Sequence, residues 1–135
     1  MKTYSIKEIS RMFHFPSSTL RYYEDMGLLT DVERTASGQR IYTDKHVNRL
    51  KTICCFKNTG MTIAQLKEFF SYEIREDDCI DDILLLLEEQ KESVSAQITQ
   101  MQKDYIHVCK KIRYYKDIKK SLETQAPHPD WKDYK

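Results

Sequence analysis

The chain has 135 residues, room for one domain or one small domain with an appendage, and its 40% hydrophobic content suffices for a core. Only three glycines and three prolines interrupt it, which favours helix and excludes a turn-dense all-β sandwich. The formal charge of +1 conceals blocks: residues 1–60 carry net +4, residues 68–92 net −8 and residues 103–120 net +5, a basic head, an acidic joint and a second basic stretch.

Ser5-Ile-Lys-Glu8 is a capping-box pattern, with Tyr4 and Ile9 spaced as a hydrophobic staple. It opens a short helix over about 5–12 whose apolar face is Ile6, Ile9 and Met12. Phe13-His14-Phe15 makes a tight connection. Pro16 suits the first turn of a second helix, where a missing N–H has no helical acceptor to lose. That helix runs to about Met26, and Gly27 suits its C′ position. Two short helices so closely joined read as a helix-turn-helix.

Residues 30–38 are polar and turn-rich, and Gln39-Arg-Ile-Tyr42 alternates like a strand, so a small hairpin is expected. Thr43-Asp44 caps a third helix with Val47, Leu50, Ile53 and Cys54 inward, and Gly60 ends it. Thr62-x-x-Gln65 is a second capping box, with Met61 and Leu66 as its staple, and opens a fourth helix to about Tyr72. Residues 73–82 are acidic and read as a hinge with a helix start.

From Ile80 to Leu122 there is no glycine or proline. Positions spaced alternately by three and four hold Ile80, Leu84, Leu87, Val94, Ile98, Met101, Tyr105, Val108, Ile112, Tyr115 and Leu122, interrupted by Lys91 and Lys119. This sustains a heptad seam along a helix roughly 65 Å long. An 80-residue head cannot cover such a stripe, so it needs a partner helix, most simply a second copy. Ala126-Pro-His-Pro129 stops the helix, and a loosely held tail is expected after it.

The longest apolar run, Ile83–Leu87, is far too short to span a membrane, and Met1 to Phe13 lacks a signal-peptide core, so a cytoplasmic protein is expected. Cys54, Cys55, Cys79 and Cys109 form no zinc-like spacing and are expected as thiols without a metal. No phosphate-cradling glycine loop, nucleophile elbow or cluster of histidine with carboxylates suggests an enzyme or a cofactor site. A coiled-coil scaffold without DNA binding would explain residues 80–122 but not the basic head.

Tyr4-Ser-Ile-Lys-Glu-Ile-Ser, Thr19-Leu-Arg-Tyr-Tyr-Glu24, Gly27-Leu-Leu29, Gly38-Gln-Arg-Ile-Tyr42, Arg49-Leu50 and Thr59-Gly-Met-Thr-Ile63 occur in this order. Together they resemble the MerR family of bacterial transcription regulators. The resemblance implies a mainly α fold: a winged helix-turn-helix head over 1–72, a hinge over 73–79, a long antiparallel coiled-coil dimerisation helix over 80–122 and a tail over 123–135. It also implies a homodimer that binds a pseudo-palindromic promoter and distorts an over-long spacer, so that RNA polymerase can engage both promoter elements. His14 stands where the family usually has glycine, Pro16 where it has a Ser or Thr cap, and Ser18 where it often has arginine. The first departure predicts a left-handed corner residue, the second a cap moved to Ser17, and the third an altered base preference.

The second helix should enter the major groove. With Leu20 and Tyr23 inward, Ser17, Ser18 and Arg21 point outward, and Tyr22 offers a phenol to a phosphate. By resemblance Arg40 and Tyr42 of the wing are backbone contacts; the competing reading makes Tyr22, Tyr23 and Tyr42 the edge of the core.

Sensing has three candidate sites and no identified small-molecule effector. Ile53-Cys-Cys-Phe-Lys-Asn-Thr-Gly-Met61 resembles the MerR subgroup that answers electrophiles or nitrosative stress through one cysteine, and Cys55 is the match. Lys51, Lys57 and, farther off, Arg49 would raise its thiolate fraction, against the alternative that it only packs. Cys79 and Cys109 could meet across an antiparallel dimer but are weak grounds for a metal, and the acidic run from Glu76 to Asp82 reads as solvated charge. Met101, Tyr105, Tyr114 and Tyr115 could line an apolar ligand pocket against the head, or merely pack.

Overall fold

Capping chemistry sets the helix starts after Ser5, Thr43 and Thr62 within Lys2–Lys135, the residues described by this computed structural model. Strand β1 (Thr3–Ser5) leads into α1 (Ile6–Phe13). The Glu8 N–H donates to Ser5 Oγ at 3.2 Å and the Ser5 N–H to Glu8 Oε1 at 3.1 Å, a closed capping box. Of the expected apolar face, Ile9 is fully buried and Ile6 partly, but Met12 is exposed. Phe13 packs in its place, stacked on Phe15 at 5.7 Å, because the chain turns away at the next residue. That residue is His14, at φ 56°, ψ 42°, the left-handed corner its position predicts.

Helix α2 (Ser17–Asp25) starts after Pro16, which corrects two expectations. Pro16 is the N-cap, not a residue of the first turn, since ψ of 155° holds it outside the helix. Ser17 is the first helical residue rather than a shifted cap, and the Thr19 N–H donates to the Pro16 carbonyl at 3.0 Å. The far end is a Schellman motif: Gly27 lies at φ 79° and the Leu28 N–H reaches back to the Tyr23 carbonyl at 2.9 Å. The same device ends α3 (Asp44–Asn58), with Gly60 at φ 94° and the Met61 N–H on the Phe56 carbonyl at 3.1 Å.

Strands β2 (Glu33–Arg34) and β3 (Arg40–Thr43) form the expected hairpin. The order is β1-β3-β2, antiparallel throughout, with Tyr4 opposite Tyr42 and Arg34 opposite Arg40. Helix α3 begins at a capping box of unexpected composition. The Thr43 N–H donates to His46 Nδ1 at 3.0 Å, which leaves Nε2 to donate to the Thr30 carbonyl at 2.8 Å. Thr62 and Gln65 close the box that opens α4 (Ile63–Ile74). One core gathers Ile9, Leu20, Tyr23, Leu28, Leu29, Tyr42, Val47, Leu50, Ile53, Met61, Leu66, Phe69, Phe70 and Ile83.

Helix α5 (Ile80–Thr124) is unbroken, two residues longer than its seam. The chain divides into two compact units, Met1–Gln90 and Lys91–Lys135, each with its own packing. In the first, Gln90 Nε2 donates to the Thr59 hydroxyl and carbonyl at 2.8 and 3.1 Å. In the second, the tail does not hang loose as expected. Gln125 turns left-handed at φ 58°, and a 3-10 turn, Trp131–Tyr134, packs onto the helix. Trp131 meets His107 and Tyr114 edge-on at 5.6 and 5.4 Å, Lys111 Nζ lies 3.6 Å over its ring, and the Tyr134 hydroxyl donates to Asp117. No helix is long and apolar enough to cross a membrane among the described residues.

Candidate nucleic-acid interface

The interface begins with the spacing of α2. Leu20 and Tyr23, three residues apart, are buried, which turns Ser18, Arg21 and Tyr22 to solvent and leaves Ser17 half-covered. A groove then forms where α1, α2 and the wing meet, lined by Ser5, Lys7, Ser17, Arg21, Gln39 and Arg40 among others. Three cationic side chains from three elements thus share one surface. Lys7 and Gln39 were not singled out from sequence; Lys7 carries only the signal of a base in the first turn after a capping box.

The wing turn is stiff. The Thr35 N–H donates to the Gln39 carbonyl at 2.8 Å, the Gly38 N–H to the Thr35 carbonyl at 2.9 Å, and Gly38 at φ 86° supplies the left-handed step. This presents Arg40 on β3, whose Nε donates to Glu24 Oε2 of α2 at 2.7 Å. That bond is the main cause holding the Arg40 guanidinium pKa above its ordinary value.

Tyr42 departs from expectation. It is fully buried, so its phenol is not open to a phosphate. The reason is the two-residue period of the strand: Arg40 and Tyr42 share a face, and about 7 Å farther along β3 that face meets the core instead of the groove. The Tyr42 hydroxyl has no hydrogen-bond partner among the described residues. Burial foremost, then the charge of Glu24, pushes its pKa up, against the pull of Arg40, Arg21 and Arg34. Of the three tyrosines in question, Tyr23 and Tyr42 are core and only Tyr22, 47% exposed, faces outward.

Cys55 is exposed on α3 and Cys54 half-buried, the order their helical phase gives. Burial pushes the Cys54 thiol up. Arg49, expected as a distant base for Cys55, is committed elsewhere: its Nε donates to the Leu28 carbonyl at 2.8 Å and its guanidinium stacks 3.8 Å over Phe70. Among the described residues no three His, Cys, Asp or Glu side chains gather as a metal site. Of the four residues named for an apolar pocket, Tyr114 is taken by Trp131 and Tyr134, while Met101, Tyr105 and Tyr115 stand exposed on α5.

Residues 4–73 match the family model described as MerR HTH family regulatory protein. The chain belongs to the MerR family. It is 35% identical over 118 residues to an HTH-type transcriptional regulator of Haemophilus influenzae, 87% of each chain. It is also 35% identical to AdhR of Bacillus subtilis over 65 residues, 48% of this chain and 46% of that one. Among solved structures it resembles HiNmlR, a MerR family regulator lacking the sensor domain, bound to promoter DNA (TM-score 0.80, 32% identity, 93% of this chain and 92% of that one). This MerR chain is therefore a DNA-binding transcriptional regulator of a family that acts on promoters and not as an enzyme.

Proposed function

We propose that this regulator binds a pseudo-palindromic promoter as a homodimer, sets α2 of each copy in the major groove, and distorts the spacer so that RNA polymerase engages both promoter elements. The single observation that carries the docking is the groove in which Lys7, Arg21 and Arg40 converge with the half-covered Ser17, beside the exposed Ser18 and Tyr22 of α2. Arg21 has the reach for a guanine edge or a phosphate, and Lys7 and Arg40 suit phosphates, which fix register. Tyr42, two residues along β3 from Arg40, anchors that strand in the core. A neighbour at 32% identity, solved bound to promoter DNA, supports binding to a promoter.

Two copies are required because the seam of α5 is uncovered: Ile98, Met101, Tyr105, Val108, Ile112, Tyr115 and Leu122 are each half exposed or more. The effector we assign to Cys55 is an electrophile, on the grounds that this thiol is open to reagent while its neighbour Cys54 is shielded.

Gel-shift titration of the full chain tests the docking, on a duplex it selects from a randomised pool. Arg21→Ala should weaken binding by about 1–3 kcal/mol and lower the dependence on salt, with the oligomeric state unchanged. Undiminished affinity in both Arg21→Ala and Lys7→Ala would overturn it.

A further inference from the structure

We propose that Glu24 is a positioning residue for DNA binding: it grips Arg40 by its Nε edge, fixes the wing to the reading helix, and aims the free end of the guanidinium at a phosphate. The inference rests on the docking proposed above.

Local physics alone gives no reason for an acid at this place. Glu24 lies in the last turn of α2, where the helix dipole disfavours negative charge, and on the element that approaches a polyanion. The structure supplies the compensation. Glu24 Oε2 accepts from Arg40 Nε at 2.7 Å, and both side chains are only about a fifth exposed, at 23% and 21%. The pair is thus shielded from the solvent screening that makes most surface ion pairs weak.

The geometry of the grip matters more than its strength. A guanidinium presents five donors in a fixed plane. Glu24 takes the one nearest the backbone, and the terminal nitrogens have no hydrogen-bond partner among the described residues. Arg40 nevertheless lines the groove with Arg21, Gln39 and Lys7. Its backbone is already held in the sheet, opposite Arg34 of β2 and next to Ile41, which is paired with both β1 and β2. What remains free is a long side chain, and Glu24 removes that freedom before DNA arrives. The phenol of Tyr42, on the same face of β3 as Arg40, is buried without a partner among the described residues and offers the pair no competing bond.

The sign of one measurement separates this role from the ordinary one. An acid that merely repels DNA should, when removed, tighten binding to every duplex. A positioning acid should, when removed, loosen binding to the selected duplex alone. The test compares full-length wild type, Glu24→Ala, Glu24→Gln, Arg40→Ala and the double Ala variant on a duplex selected by the wild type, and on alternating dI·dC as non-specific competitor. Glu24→Ala should weaken selected binding about tenfold, the order expected for one oriented charge-assisted contact, while non-specific binding stays level or rises. Glu24→Gln, which keeps an oxygen for Nε, should recover part of the loss. In the Arg40→Ala background, Glu24→Ala should weaken binding no further. Equal or tighter selected binding by Glu24→Ala overturns the proposal, as does an equal loss in the Arg40→Ala background. Should Glu24→Ala fail to fold by circular dichroism, the near-isosteric Glu24→Gln carries the same test, with about threefold weakening expected and no weakening overturning it. A wild-type chain that selects no duplex overturns the docking and this proposal with it; the preceding outcomes overturn this proposal alone.

Discussion

Two adjacent cysteines on α3 show how little separates a packed thiol from a reactive one. A helix turns about 100° per residue, so the step from Cys54 to Cys55 takes the sulfur from a half-buried flank to the surface. Burial raises the Cys54 pKa and starves it of thiolate, the attacking species. With a small electrophile in moderate excess, mass mapping should therefore find adducts on Cys55 before Cys54. Cys109 is also exposed, so the functional arm is needed: electrophile should change promoter affinity in wild type and in Cys109→Ser, but not in Cys55→Ser. Unmodified Cys55 alongside modified Cys79 or Cys109 sinks the assignment. The phase of these thiols was legible in the sequence because helical phase is local. The commitment of Arg49 was not, since its partners lie 21 residues away at each side, at Leu28 and Phe70. The burial of Tyr42, one of two readings its sequence allows, is illegible for a related reason: alternation tells which residues share a face, not where along the strand that face passes from groove to core.

At the scale of elements, what was readable was what is chemically local. The capping boxes at Ser5 and Thr62, both glycine C-caps and the left-handed His14 follow from residues within six positions of one another. Strand β1 was not readable, because three residues carry no periodicity and its pairing with β3 closes a loop of about forty. Nor was the folded tail, whose aromatic residues find their partners one to two dozen positions back on α5. That clasp has its own pH signature. The Asp117 carboxylate holds the Tyr134 phenol protonated and pushes its pKa from 10.0 up to about 12. A folded value above the unfolded one means the bond's contribution is complete below about pH 10 and is lost as pH rises towards 12. Tyrosinate absorbance should therefore show late-titrating phenols, Tyr72 among them since Glu68 holds it likewise at about 12. Tyr134→Phe should remove one of these, and Asp117→Asn should return Tyr134 to the ordinary range. An unchanged late amplitude in both variants would show that the clasp is not closed in solution.

At the scale of the molecule, the distribution of charge argues for how two copies meet. Along α5, residues 80–92 are acidic and residues 103–120 carry net +5. Parallel pairing would set like against like, whereas antiparallel pairing lays the acidic start of one helix beside the basic end of the other. In the proposed dimer the apolar stripe would supply the driving force and the charges would choose the direction, a division expected because exposed ion pairs contribute little each. The tail fits this arrangement. It covers the flank of His107, Lys111 and Tyr114, while the neighbouring flank of Val108, Ile112 and Tyr115 stays open for a partner. A twofold pair repeats each contact, so one buried charge is introduced twice. Ile112→Glu should therefore convert a micromolar dimer to monomer in sedimentation, without loss of the tail's Trp131 fluorescence signature. Promoter affinity should fall by about two orders of magnitude or more, because each head must then find its half-site alone. Raising salt should weaken the wild-type dimer only modestly, since apolar burial is not screened. A dimer that persists in Ile112→Glu would place the interface elsewhere and leave the exposed stripe of α5 without its partner.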